Sequence, residues 1–423
     1  MTRVRSLSRV AAAALVLGGV AAGAVAPVPA QAADSCDQRT APVYLAEPSY
    51  PLAQYRAASA LWAAGADGDG VLVAVLDSGL EADNPHFTQP GQGTAVRPGT
   101  SFVPELADAA QVRHPQGLRD ADGHGTSVAG LIAARAVPGS GVVGLARRAT
   151  ILPVQVYGLR ATNDPRYAAL VPRPEQLVAG IRYAADAGAQ VIAIAMSQNQ
   201  STPELAAAVE YAQAKGALLV ASAGDRAPDQ PLGLRYPAAY PGVLGVTAVT
   251  QGGSSSPTVM PGPHVGVAAP GERLATTYGR FGDCIVGATP EASYAVPLVA
   301  ATAALVAARY PQEGPALWKY RIEASALRPR SEARDDTFGW GVLAPYDAVT
   351  LTLDPDRPGP QLPGQARALR AAQPVAPAPV TVTEDPLVPA RRFAVLVVLS
   401  ALVGLVLLRL IRALRAGPRE VAG

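Results

Sequence analysis

Two patterns of apolar residues alternate through the middle of the chain. "GVLVAVLDSG" (70–79), "ATILPVQVYG" (149–158), "QVIAIAMS" (190–197), "LLVASAGD" (218–225), "GVLGVTAVT" (242–250) and "HVGVAAPG" (264–271) are short runs with almost no polar interruption. A half-exposed strand would alternate apolar with polar, so these runs predict strands buried on both faces. Between them, "GHGTSVAGLIAARA" (123–136), "PEQLVAGIRYAADAGA" (174–189) and "TPELAAAVEYAQAKGA" (202–217) carry apolar residues at helical spacing. The last has Thr202 placed as an N-cap. A long alanine- and valine-rich helix follows from Ser293. Doubly buried strands separated by helices predict an α/β fold, a central parallel sheet with helices on both faces. In such a sheet, functional groups gather beyond the carboxyl ends of the strands.

The two ends of the chain break this pattern. "MTRVRSLSRV" is basic and leads into an apolar run closed by Ala30-Gln31-Ala32, a small-x-small site. Residues 1–32 therefore read as a secretory signal peptide, with an uncleaved anchor as the alternative. Residues 351–390 are rich in proline and read as a linker that favours extended conformations. Residues 391–411 contain the uncharged run Phe393 to Leu408, close to the ~20 residues needed to span a bilayer. The alternative there is a buried core helix. Arg409, Arg412, Arg415 and Arg419 outnumber Arg391 and Arg392, so residues 412–423 are expected to be a cytoplasmic basic tail. The expectation is a single-pass protein of the cell membrane whose folded domain lies outside the cytoplasm.

The formal net charge is +2 and no basic cluster interrupts the folded region, which argues against a nucleic-acid partner. The chain has two cysteines, Cys36 and Cys284. In an exported protein one disulfide is the expected state; two unpaired thiols are the alternative. No histidine, cysteine and carboxylate spacing suits a metal, and no cofactor is expected.

Three polar residues stand where strand ends meet turns or helix starts. Asp77 closes the first strand in "VAVLDSG", His124 sits in "DADGHGTSVAG", and Ser293 heads the last helix in "EASYAVPLVAA". Singly, each is most simply a turn residue or a cap. Together they supply what acyl transfer by serine requires: a nucleophile, a base, and a carboxylate to fix the base's tautomer.

These motifs resemble those of the subtilisin-like serine proteases, the subtilases. "VAVLDSGL" is similar to that family's aspartate motif, "DGHGTSVAGLIAA" to its histidine motif, and "SYAVPLVAA" to the latter part of its serine motif, in the same chain order. "YPAAYPGVLGVTAV", "VGVAAPGE" and "TFGWGVLAPYDAV" are similar to the rest of its core. The resemblance implies a subtilisin-like peptidase domain over residues 70–350 and a serine endopeptidase with Asp77, His124 and Ser293 as its triad. The layout, and "LDSGLEADNPHF", resemble the mycosins, membrane-anchored subtilases of type VII secretion systems. That implies protein or peptide substrates, secretion-system membrane components as partners, and an N-terminal extension (33–69) that wraps the protease domain.

Two positions depart from the family. Where its serine motif begins Gly-Thr-Ser, this chain has Glu291-Ala292-Ser293. Where the family has an asparagine that donates to the oxyanion, this chain has Asp225. An ionised carboxylate there would oppose the developing negative charge. Protonation of Asp225 would rescue it as a donor. The alternative function is a catalytically impaired subtilase kept as a structural or regulatory subunit of a secretion complex.

Overall fold

The structure is a computed structural model, and it describes residues 36, 41–48, 52–227, 230–329, 333–365 and 388–415. The expected signal peptide, most of the proline-rich segment and the end of the basic tail lie outside the described residues. The chain divides into two units, 1–367 and 368–423.

In the first unit, α1 (Leu52–Ala63) precedes β1 (Leu72–Asp77) and β2 (Thr100–Ser101). Then come α2 (His124–Ala133), β3 (Thr150–Gln155), α3 (Pro174–Asp186), β4 (Val191–Ile194), α4 (Pro203–Ala214), β5 (Leu218–Ser222), β6 (Leu244–Val249) and β7 (Val267–Pro270). Among the described residues these strands form a seven-stranded sheet in the order β2-β3-β1-β4-β5-β6-β7, with every pairing parallel. The chain first builds outward from β1 through β3, then returns to add β4 on the other side. The crevice at the carboxyl ends of β1 and β4 is therefore a topological switch point, and Asp77 ends β1 there.

Alternate residues of β1 serve opposite cores. Val73 and Val75 pack with α2 residues such as Leu131 and Ile132. Leu72, Ala74 and Leu76 pack with Leu177 and Ile181 of α3 and Leu205 and Val209 of α4. Strand side chains alternate faces, so burial on both sides is what removed the polar alternation from the sequence.

Beyond the sheet lie a two-stranded antiparallel ribbon, β8 (Leu274–Thr277) and β9 (Asp283–Val286), then α5 (Ala292–Arg309), α6 (Pro315–Ser325) and α7 (Pro345–Thr350). By length and composition α5 is apolar enough to cross a membrane, yet 83% of it is buried in this unit. Its uniform apolarity reflects core burial. The ribbon, α1, α6 and α7 carry no strong periodic signal, and the sequence pattern did not predict them.

Residues 41–48 are fastened to the ribbon. Val43 N–H donates to Phe281 O and its carbonyl accepts from Asp283 N–H, at 2.8 and 2.9 Å. Leu45 N–H reaches the Asp283 carboxylate at 2.9 Å. Cys36 and Cys284 form a disulfide, with Cα atoms 6.0 Å apart. At the other end, residues 351–365 do not leave the domain as a free tether. Leu351 and Leu362 are buried with Tyr320 and Ala324 of α6, so the proline-rich stretch begins as a packed strap.

In the second unit, α8 (Val388–Arg415) is one helix. Phe393, Leu396, Leu399, Leu402, Leu405 and Leu408 on it are exposed.

Candidate active site

Asp77 and His124 are brought together from opposite sides of the switch point. Asp77 is fully buried at the end of β1, and His124, 2% exposed, is the first residue of α2. His124 Nδ1 lies 2.9 and 3.0 Å from the two Asp77 oxygens. A carboxylate can only accept, so Nδ1 carries the proton and Nε2 is left as the basic nitrogen. This approach requires Gly125: a Cβ there would stand 2.1 Å from Gly79 O and 3.1 Å from Asp77 Cβ.

Burial alone would raise Asp77. The charge of His124 opposes it, joined by hydrogen bonds from His124, from Tyr157 Oη (2.7 Å) and from Ser78 N–H (2.8 Å), and the carboxyl ends below its usual range. Burial pulls His124 the other way, but the charge and hydrogen bond of Asp77 outweigh it and leave the imidazole raised above 6.5. Tyr157 was not singled out in the sequence; its signal was its place at the carboxyl end of the strand neighbouring β1. Removing its hydroxyl frees Asp77 to hold the imidazolium more tightly. Tyr157→Phe is therefore expected to move the acidic limb of any Ser293 reactivity profile to higher pH, as read by the rate of covalent labelling against pH.

The helix carrying His124 is braced from two directions. Asp120, 7% exposed, accepts from Gly123 N–H (2.8 Å), Thr126 N–H (2.7 Å) and Thr126 Oγ1 (2.7 Å) at the positive end of α2. The β8 ribbon supplies the rest. Thr276 Oγ1 and Thr277 Oγ1 donate to Ser127 O and Thr126 O at 2.8 and 2.7 Å, and Ser127 Oγ donates to Thr277 O at 3.0 Å. Only the three-dimensional fold discloses these supports, because they lie about 150 residues away in sequence.

Ser293 is the second residue of α5 and is half-exposed. Its neighbour Tyr294 places its ring 4.9 Å, centroid to centroid, from the His124 ring, which sets the serine on the histidine's side of the cleft. Among the described residues, no hydrogen bond links Ser293 to His124. Pro297, four residues on, has no N–H to offer the Ser293 carbonyl, so the first turn of α5 is released from the helical ladder at this point.

Asp225 follows β5, and one side of it is open to solvent. Its two oxygens accept from the Ala292 N–H at 2.9 and 3.2 Å. It thus sits as an anion at the positive end of α5, immediately before Ser293. Loss of solvation pushes its carboxyl up, the Ala292 N–H pulls it down, and the charge of Glu291 pushes it up again, giving about 6. Water on its open side weakens these effects without reversing their direction. Glu291 is the N-cap residue of α5 and makes no side-chain capping bond.

A buried aspartate–histidine pair at the switch point of a parallel sheet, beside a helix start that carries a serine, is the kind of arrangement found in serine hydrolases. The subtilase family (peptidase S8) matches residues 68–341, and the chain belongs to that family. Within it the chain is similar to the mycosins. It is 35% identical to Mycosin-1 of Mycolicibacterium smegmatis over 69% of this chain and 71% of that one. It is 31% identical to Mycosin-3 of Mycobacterium tuberculosis over 80% and 78%. Among solved structures, the MycP3 protease from the type VII (ESX-3) secretion system superposes with a TM-score of 0.60 at 28% identity, over 74% of this chain and 91% of that one.

Proposed function

We propose that the protein is a membrane-anchored serine endopeptidase acting outside the cytoplasmic membrane, in association with a type VII secretion system. The observation that carries the reading is the Asp77–His124 pair, set beside the α5 terminus that bears Ser293. Asp77 fixes the imidazole with Nδ1–H inward. His124 Nε2 then takes the Ser293 proton as Oγ attacks the peptide carbonyl, and returns it to the leaving amine. Substrate adds as an extended strand along 193–200, which runs from the end of β4 into the segment after it. The secretion partner is supported by likeness to mycosins, one of which is described as the MycP3 protease from the type VII (ESX-3) secretion system. Anchoring is supported by the run Phe393 to Leu408 and by the exposed apolar side chains of α8. The layout proposed with it is a signal peptide over 1–32, an extension over 33–69, a peptidase domain over 70–350, a linker over 351–390 whose first part packs on α6, a spanning helix over 391–411 and a cytoplasmic tail over 412–423.

A second reading, a catalytically impaired subunit, is favoured by Asp225, whose carboxylate occupies the α5 terminus as a helix cap. The two part on fluorophosphonate labelling of the full chain in detergent across pH 5–8. Labelling that vanishes in Ser293→Ala is expected for the peptidase. No labelling at any pH, with secretion intact in Ser293→Ala cells, supports the impaired subunit.

A further inference from the structure

Arg235 is one of the larger side chains of the cleft, and it is 5% exposed. Among the described residues its guanidinium has no carboxylate, carbonyl or hydroxyl partner. Every other buried arginine here is bonded: Arg135 to main-chain carbonyls, Arg321 to Glu313 and Leu351 O. A buried cation without an anion is costly, so such a group persists where an anion is to be received.

Its position is next to the reacting centre. A Cβ built on Gly224 would meet Arg235 Cγ at 2.7 Å and Ser197 Oγ at 2.9 Å. Gly224, at φ +90°, therefore lets the arginine stem cross between the ends of β4 and β5. The next residue is Asp225, bonded to Ala292 N–H, and the residue after Ala292 is Ser293. On the other side, Tyr236 pairs with Gln198 through two 2.9 Å backbone hydrogen bonds, fixing Arg235 beneath the segment along which substrate would lie. In the strand-addition pose of the peptidase reading, the side chain of the residue whose carbonyl meets Ser293 would pass between Ser197 and Gly224, toward Arg235. The neighbouring imidazole does not compete as a counter-ion. His264 is pushed down first by burial and also by the charges of Arg235 and Arg334, and so stays neutral.

We propose that Arg235 is a specificity residue, selecting a substrate carboxylate at the residue that donates the scissile carbonyl. The inference rests on the peptidase reading and adds to it a substrate class: peptides cut after Asp or Glu. A planar guanidinium receives a carboxylate through paired N–H donors, which distinguishes Glu from its isostere Gln. Asp225 and Glu291 make the remainder of the cleft mouth acidic, so an acidic residue is favoured at this one subsite and disfavoured near them.

The test separates binding from chemistry. The Ser293→Ala full chain in detergent is titrated with fluorescent peptides that differ at one position, Glu, Gln, Leu or Lys, by anisotropy. The Glu peptide is expected to bind roughly ten- to hundred-fold more tightly than the Gln peptide. Arg235→Met should abolish that difference, and Arg235→Glu should favour Lys; melting curves of both variants check that they fold. Peptides ending at this position as free acid or as amide, with Leu as the last residue, separate a terminal carboxylate from a side-chain one. Binding with no Glu-over-Gln preference, or a preference that survives Arg235→Met, overturns the assignment of Arg235 alone. Failure of every peptide to bind overturns it together with the peptidase reading.

Discussion

Asp225→Asn is expected to raise the turnover of the enzyme by about 10²–10³. That magnitude is the known cost of losing the oxyanion-hole asparagine in subtilisin itself, not one read from this chain. The structure gives the physical reason for expecting a gain. An Asp225 pushed up to about 6 is mostly neutral, and able to donate, only below that pH. His124 is raised above 6.5 by Asp77 and is a base only above its own pKa. The two conditions diverge, so protonation of Asp225 rescues only the small fraction of molecules in which the acid is neutral while the imidazole is also neutral. The asparagine keeps an oxygen for the Ala292 N–H and turns an amide donor to the cleft without needing a proton. The variant's rate should then rise with pH on a single acidic limb set by His124. Steady-state cleavage or labelling rates from pH 5 to 9 decide this; equal rates for the two proteins would show that the oxyanion is stabilised elsewhere.

Asp283→Ala is expected to destabilise the peptidase unit by about 3–5 kcal/mol. Asp283 is fully buried on β9, and four groups converge on it. His86 Nε2 lies 2.7 Å from Oδ1, while Ser140 Oγ (2.6 Å) and Leu45 N–H (2.9 Å) donate to Oδ2. Its own N–H donates to Val43 O, beside the Cys36–Cys284 disulfide. The other nitrogen of His86 is 2.6 Å from Arg135 O, so the ring bridges Asp283 to the main chain just after α2. Alanine leaves that ring, a hydroxyl and an amide without acceptors in the interior. Calorimetry should show a melting temperature lower by roughly 5–10 °C. Limited proteolysis should cut within 41–48 before the unit unfolds, since Asp283 holds that segment to the ribbon. A shift under about 2 °C would mean that the ribbon is held chiefly by β8 and α2.

The sheet was legible in the sequence because its strands are buried on both faces, which strips them of polar residues, and because α3 and α4 show one apolar stripe each. The same burial makes α5 uniformly apolar, so that its composition alone does not separate a core helix from a membrane span, although its place after the sheet strands read it as a core helix. Asp77, His124, Ser293 and Asp225 were legible because each lies in a short contiguous motif at a strand end or helix start. Whether they meet is not a local property. The parallel register that brings the end of β1 to the start of α2, and the Tyr294–His124 contact that seats Ser293, arise from packing of segments far apart in the chain. The ribbon that braces α2, the Asp283 cluster and the guanidinium of Arg235, which has no partner among the described residues, left no periodic trace, since the groups around them are carbonyls, single hydroxyls or glycines that any sequence contains. The sequence by itself determined the class of fold and the residue types available for chemistry. Only the tertiary structure decided the hydrogen-bond partners and burial that set their protonation, because both depend on which distant atoms exclude water from them.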